Sequence, residues 1–160
     1  MKRLTNESGL TLIELLATLV ITTMIGLVAY AVLHNGFKTY DRVKIETALR
    51  DEADIIMAEL MSHMFTLKTS EIESRHLHEN NAPNNYLLLK NGEKLGFFEG
   101  KLHVDGQQNK ALVSDHIQLG EETEIKEVTE TQFHITLSLE WVESGQTLTI
   151  ESEIGIINDK

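Results

Sequence analysis

The chain has 160 residues, a length that fits one domain of ordinary size with a short additional element. It carries 14 basic and 25 acidic residues, and the formal net charge of -11 argues against a protein that coats nucleic acid through a general excess of positive charge. Cysteine is absent, which excludes disulfide scaffolds, thiolate metal sites and cysteine nucleophiles.

The apolar residues are concentrated near the N-terminus. Residues 1–9 form a short polar leader that contains Lys2 and Arg3, and residues 10–33 are apolar apart from Glu14. As a helix, residues 10–33 would extend over about 36 Å, which is enough to cross a hydrocarbon core of about 30 Å. The segment is therefore predicted to span a membrane.

A secretory signal peptide is the competing interpretation of this segment. Ala29-Tyr30-Ala31 supplies a small-x-small cleavage pattern that would make Val32 the first mature residue. The apolar stretch 10–28 is longer than the roughly 7–15 residues typical of a signal peptide, and it carries a carboxylate near its start. Both features favour a membrane-spanning helix.

Glu14 has two possible roles. A charge inside a bilayer costs at least about 2.5–3.5 kcal/mol, so it needs a partner or a local reason. Thr11 precedes Glu14 by three residues, which is the spacing of a capping box at a helix N-terminus. Capping accounts for the carboxylate locally, but it does not explain why the polar leader ends in Gly9 directly before the apolar run.

Residues 8–16, SGLTLIELL, resemble the processing site of type IV pilins and pseudopilins. The shared features are a basic leader, a glycine, an apolar residue, the pattern T-L-[IV]-E and an uninterrupted apolar helix. The family most often has phenylalanine after the glycine, where this chain has Leu10. The segment ALRDEADIIMAEL at 48–60, followed by short strands, is similar to the corresponding part of minor pseudopilins.

The resemblance implies cleavage by a prepilin peptidase between Gly9 and Leu10, with N-methylation of the new Leu10 amine. Thr11 and Glu14 would serve peptidase recognition and assembly, with Glu14 as the counter-ion of the amine of a neighbouring subunit. Loss of the leader would change the formal net charge to -12.

The expected function is that of a minor pilin-like structural subunit in a type IV pilus, a competence (DNA-uptake) pseudopilus or a type II secretion pseudopilus. Its expected partners are the membrane, the peptidase, other major and minor pilins, a platform protein and an assembly ATPase. The protein would be a single-pass cytoplasmic membrane protein with an extracytoplasmic head, and then part of a periplasmic or cell-surface filament. The alternative is a single-pass membrane-anchored binding module that does not polymerise.

Residues 34–67 are predicted to continue the helix as an amphipathic half. Their apolar residues recur at steps of mostly three or four, as expected for a helix that packs one face on a head. That stripe is Phe37, Tyr40, Ile45, Leu49, Ala53, Ile56, Leu60, Met64 and Leu67. Asp51, Glu52 and Asp54 are assigned to the opposite, solvated face rather than to a metal site.

Residues 68–160 are predicted to form a β-rich head on that helix, which makes the fold α+β. Residues 68–85 are polar and are expected to form a loop, and Asn91-Gly92 predicts a hairpin turn. Asp105-Gly106 indicates a further turn. Strands are expected at 86–89, 94–98, 101–104, 117–119, 124–128, 132–142 and 146–157, with one covered and one wet face on 132–142.

No catalytic or cofactor motif is present in the sequence, so no enzyme activity and no cofactor are expected. His76 and His78-Glu79 lie in the polar stretch, His63 lies on the helix, and Glu121, Glu122 and Glu124 lack the spacing of a calcium loop, so no metal site is expected. Direct nucleic-acid binding is not expected from the overall charge. Such binding would require a local patch or a partner subunit.

Overall fold

The structure is a computed structural model that describes residues 11–77, 84–104 and 114–159, together with the backbone of residues 107–110. Within these residues, one long N-terminal helix precedes nine antiparallel β-strands. The predicted α+β fold is confirmed. The chain divides into two compact units, Met1–Val43 and Lys44–Lys160.

The helix α1 (Leu12–Thr66) has 55 residues, close to the predicted range of 10–67. It contains no proline and only two glycines, Gly26 and Gly36, so that good helix formers dominate its length. The sequence signal that ends it is the run of polar residues after Leu67. A short 3-10 turn follows at Thr69–Glu71.

The C-terminal part of α1 packs its apolar stripe in the core of the second unit. The stripe residues from Leu49 to Leu67 are buried, and Ile45 is partly buried against the same core. The prediction is wrong for Phe37 and Tyr40, which are 68% and 66% exposed. Packing of the stripe therefore begins at Ile45, one residue after the start of the second unit.

Glu52 is buried, which corrects its assignment to the solvated face. It lies three residues after Leu49 and four before Ile56, so helical geometry places it on the edge of the apolar stripe. Asp51 and Asp54 are exposed as predicted. Among the described residues, no buried side-chain nitrogen or oxygen lacks a hydrogen-bond partner, as expected for a folded core.

The first sheet contains five antiparallel strands in chain order. They are β1 (Ile72–His76), β2 (Asn85–Leu89), β3 (Lys94–Phe98), β4 (Lys101–Val104) and β5 (Gln107–Lys110). The predicted ranges of β2, β3 and β4 are confirmed. The predicted turn at 105–106 lies outside the described residues, and β5 was not predicted.

Strand β1 corrects the prediction that residues 68–85 form a loop. It pairs with β2 along the sheet edge, and it has no alternation of apolar residues that could mark it in the sequence. Arg75 in this strand forms an ion pair with Glu127 and donates a hydrogen bond to the carbonyl of Glu130 at 3.0 Å. Polar contacts with the second sheet thus help to keep β1 in place. Such contacts leave no apolar periodicity in the sequence.

The β2–β3 hairpin forms around the predicted Asn91-Gly92 turn. The Leu89 N–H donates to the carbonyl of Glu93 at 2.9 Å, and the Gly92 N–H donates to the carbonyl of Leu89 at 2.8 Å. Gly92 has a φ of +87°, a left-handed conformation that glycine adopts without steric cost. The turn chemistry of the sequence therefore determined the position and register of this hairpin.

The second sheet is built around one long central strand. Its members are β6 (Ile117–Leu119), β7 (Glu124–Thr129), β8 (Gln132–Trp141) and β9 (Thr147–Gly155). Strand β9 pairs with one edge of β8, while β6 and β7 lie end to end along the other edge. In the gap between β6 and β7, the Thr123 hydroxyl donates to the Ser138 carbonyl at 2.9 Å and accepts from its N–H at 3.1 Å. Side-chain hydrogen bonds thereby replace the missing ladder at this position.

The core lies between α1 and the inner faces of both sheets. In β8 the alternate residues Phe133, Ile135, Leu137 and Leu139 are all fully buried, as the period of two predicted. The opposite face of β8 is not wet throughout, because Thr136 and Ser138 are also buried. Strands β7 and β9 flank β8 beside these small side chains. The alternation within β8 alone does not predict their burial.

Candidate functional site

The sequence-predicted site surrounds the start of α1. Gly9 and Leu10 lie outside the described residues, whereas Thr11 and Glu14 are described. The Thr11 backbone N–H and the Thr11 hydroxyl each donate a hydrogen bond to Oε2 of Glu14 at 2.9 Å. In return the Glu14 N–H donates to Oγ1 of Thr11 at 3.3 Å. These reciprocal contacts form the capping box that the spacing of the two residues predicted.

The capping box fixes Glu14 in the first turn of α1. A carboxylate there is favoured by the positive end of the helix dipole and by the backbone N–H groups of the first turn. Glu14 therefore caps the N-terminus of α1, which is the local role that its spacing from Thr11 predicted. The contacts engage Oε2 of the carboxylate, and they hold the negative charge at the end of an apolar helix.

The first part of α1 presents an apolar surface that nothing in the described chain covers. The large apolar residues between 12 and 33 are each between 48% and 78% exposed. A continuous apolar surface of this size is not stable in water and marks a membrane or protein contact. Within the described residues, α1 is the single helix that is long and apolar enough to cross a membrane, which is consistent with a membrane anchor.

The threonines of this segment do not disturb its apolar character. The hydroxyls of Thr18, Thr22 and Thr23 donate to backbone carbonyls of the preceding turn at 2.9, 2.7 and 2.8 Å, respectively. A hydroxyl that is bonded within its own helix needs no water, so these side chains are compatible with lipid or with a packed helix interface.

The C-terminus closes the end of α1 through a contact that the sequence did not indicate. Ile157 exchanges backbone hydrogen bonds with Leu67 and Thr69 at 2.9 and 3.0 Å. The Asp159 carboxylate accepts hydrogen bonds from the hydroxyls of Ser70 and Thr69 and from the Ser70 N–H. The Ser70 hydroxyl and N–H lower the pKa of Asp159 below its usual value.

Asp159→Asn is expected to lower the urea midpoint of unfolding at pH 7, because the ionised carboxylate is the better acceptor for Ser70. A carboxyl with a depressed pKa stabilises the fold above its unfolded value of about 3.9, and this stabilisation is lost as the pH falls through the folded pKa. The difference between Asp159→Asn and the parent should therefore shrink below about pH 4. Asp54→Asn, on the exposed face of α1, is the matched control and should show no such pH-dependent difference.

The histidines and glutamates considered as metal ligands are dispersed. His76 stacks on Tyr86 at 4.8 Å in β1 rather than lying in a solvated loop, while His78 and Glu79 lie outside the described residues. His63 lines a cleft of about 460 Å³ beside the end of α1. In the described parts of the chain, no three His, Asp or Glu side chains converge in a way that could hold a metal ion.

Comparison of the chain with models of protein families, with curated protein sequences and with solved structures finds no match.

Proposed function

We propose that this chain is a minor pilin-like (pseudopilin) structural subunit of a type IV pilus, a competence pseudopilus or a type II secretion pseudopilus. The observation that carries the proposal is the placement of Glu14. Its carboxylate is held in a capping box at the first turn of an exposed apolar helix, four residues after Leu10. Helix capping by Glu14 would also suit a simple anchor, so the proposal depends on the position of this charge relative to the bond between Gly9 and Leu10.

Processing would begin at the peptide bond between Gly9 and Leu10. A prepilin peptidase would hydrolyse this bond and then methylate the new amine of Leu10. Gly9 has no Cβ, which allows the backbone to enter a narrow active site in an extended form. The leader residues Lys2 and Arg3 would remain on the cytoplasmic side and would be lost from the mature protein.

Assembly would then depend on two charges that are unfavourable when they are separate. The new ammonium group at Leu10 and the carboxylate of Glu14 in a neighbouring subunit would both lie in an apolar environment. Each costs several kcal/mol if it is left unpaired there, at about 3–5 kcal/mol for a broken buried pair. Pairing across subunits would therefore favour assembly and set the stagger of neighbouring helices.

The proposed location follows from the apolar helix. The mature protein would first reside in the cytoplasmic membrane through residues 10–33, with the head of residues 68–160 outside the cytoplasm. The peptidase, a platform protein, an assembly ATPase and sibling pilins would be its partners, and the filament would be its final location. The exposed apolar surface between residues 12 and 33 is the surface that would contact lipid first and neighbouring helices afterwards.

Mass analysis of the mature N-terminus tests the processing step directly. The mature chain purified from cells that express the peptidase should begin at N-methyl-Leu10. A chain that begins at Val32 would assign the segment to signal peptidase and contradict the proposal. An intact leader would leave a plain membrane anchor as the explanation, and a strain without the peptidase provides the unprocessed control.

A further inference from the structure

The outward face of the first sheet carries a row of aromatic side chains. Neighbouring strands each contribute one ring to this aromatic row, which consists of His76, Tyr86, Phe98 and His103. His76 stacks on Tyr86 with centroids 4.8 Å apart, and Tyr86 and Phe98 meet edge to face at 5.2 Å. Phe98 and His103 meet in the same way at 5.5 Å. The row therefore runs without a break across four strands.

The aromatic row lies on the side of the sheet that faces away from the core. Alternate residues on the same strands, among them Leu87, Phe97 and Leu102, are buried. In the row itself His76 is exposed and the other three rings are half-buried. Aromatic rings are large apolar groups, and a row of them that stays partly accessible on an outward sheet face can serve as a binding surface.

A lysine and a glycine complete this surface. Lys94 is on the same face of β3 as Phe98, and its ammonium group lies 3.1 Å from the centroid of Phe98 and 5.1 Å from that of Tyr86. Gly96 lies between them and pairs with both Tyr86 and His103. Gly96 is buried and has a φ of +132°, and a Cβ there would clash with the carbonyl oxygen of Asn85, so only glycine allows this close approach of β2 and β3 below the rings.

Charge is strongly segregated within the head. In the described part of the first sheet, residues 72–77 and 84–104 contain four basic and three acidic residues, whereas residues 114–159 contain one lysine and eleven acidic residues. Lys94 and Lys101 lie on or beside the aromatic row, and Glu99 is the nearest acidic residue that acts on His103. Partial burial, and to a lesser extent the charge of Lys94, lower the pKa of His103 below its usual value. Lys94 and Lys101 therefore place two positive charges at the aromatic row of an otherwise acidic protein.

We propose that the aromatic row and its two lysines bind single-stranded nucleic acid. Exposed bases stack on aromatic rings of a β-sheet, and lysines beside the rings neutralise phosphates. Acidic groups more than about 8–10 Å away are screened at physiological salt, so a local patch can act despite the net charge of -11. This binding goes beyond the proposed structural function and does not depend on filament assembly.

The test uses the full-length chain in detergent micelles and a fluorescein-labelled oligothymidine of about 15 nucleotides. Fluorescence anisotropy should show saturable binding to the oligonucleotide and much weaker binding to the corresponding duplex. With two lysines in contact, the slope of log K against log salt should be about -1.4. Tyr86→Leu and Phe98→Leu, which keep an apolar side chain, should each weaken binding roughly fivefold or more.

Substitution of the two lysines keeps the test decisive if an aromatic variant folds poorly. The double variant of Lys94→Gln and Lys101→Gln should bring the salt slope close to zero, because the phosphate contacts are lost. Lys126→Gln on the acidic second sheet is its matched control. His76→Ala removes the outermost ring of the row and should also weaken binding, and its control is His116→Ala, which removes an imidazole stacked on Trp141. The controls should bind like the parent, and Glu14→Gln should too.

Three outcomes would overturn the assignment. These are the absence of oligonucleotide binding, equal binding of duplex and single strand, and equal loss of binding in the matched controls. If the oligonucleotide does not bind and a neutral polysaccharide does, the first of these outcomes would also assign the row to glycan binding.

Discussion

Glu14→Val should leave the protein inserted in the membrane and absent from sheared filaments and from complexes with other pilins. Valine is apolar, so insertion of the helix does not suffer, but the ammonium group of a neighbouring subunit loses its counter-ion. Breaking a buried ion pair by removing one partner costs about 3–5 kcal/mol, which corresponds to a loss of incorporation of more than roughly a hundredfold. Immunoblots of membrane and sheared filament fractions measure both quantities in the same cells.

Two further variants separate the charge of Glu14 from its role in the capping box. Glu14→Gln retains a side chain that can close the box but has no charge. Thr11→Val removes the hydroxyl that exchanges hydrogen bonds with Glu14 and keeps the charge. If the charge is required, Glu14→Gln should fail like Glu14→Val, whereas the fraction of Thr11→Val that mass analysis shows to be processed should still be incorporated. Normal incorporation of Glu14→Gln would contradict the ion-pair mechanism. Absence of the parent protein itself from sheared filaments and from complexes with other pilins would favour the non-polymerising binding module.

Leu60→Ala should destabilise the head by about 2–5 kcal/mol, the range measured for large-to-small changes in tightly packed cores. Leu60 is fully buried in the cluster that joins α1 to the inner faces of both sheets. Removal of its side chain leaves a cavity that neighbouring residues can fill only in part. Trp141 is the single tryptophan of the chain and lies in β8, so its fluorescence during urea unfolding reports on the head alone.

Ile55→Ala on the same helix is the matched control. Ile55 is 46% exposed, so its truncation removes little buried surface and should change the free energy of unfolding by less than about 1 kcal/mol. Equal changes in the free energy of unfolding for Leu60→Ala and Ile55→Ala would contradict the packing of α1 on the sheets. Both variants should leave membrane insertion unchanged, because residues 10–33 are untouched.

The strands that sequence analysis located are those whose signal is local. The hairpin at Asn91-Gly92 was predicted because turn chemistry and flanking apolar residues occur within one short stretch. The long strand β8 was predicted because its alternation persists through ten residues. The burial of Thr136 and Ser138 on its second face was not predicted, because the strands β7 and β9 and the Thr123 side chain beside them come from elsewhere in the chain.

The local sequence did not predict strand β1 or the burial of Glu52. Residues 72–76 resemble a polar loop, and they form a strand because β2 supplies hydrogen-bond partners and Arg75 reaches Glu127. Glu52 is charged and was placed in solvent for that reason, although its spacing from Leu49 and Ile56 puts it on the buried edge. In both cases the environment supplied by distant residues decided the outcome.

The two candidate sites differ in the same way. The capping box of Thr11 and Glu14 was predicted from a spacing of three residues, because both partners lie within one helical turn. The aromatic row joins residues as far apart as His76 and His103, and no spacing along the chain reveals it. The clamp of Asp159 on Ser70 joins residues 89 positions apart and was likewise not anticipated.

The sequence by itself determined the apolar helix, its capped start, the hairpin turn and the α+β class. These depend on hydrophobic periodicity, turn residues and neighbours within a few positions, which are properties of a short segment. Only the tertiary structure decided which polar residues are buried, that residues 72–76 form an edge strand, and which rings meet on the outward face of the first sheet. Those features arise from strand register and from contacts between segments far apart in the chain, so they exist only once the chain has folded.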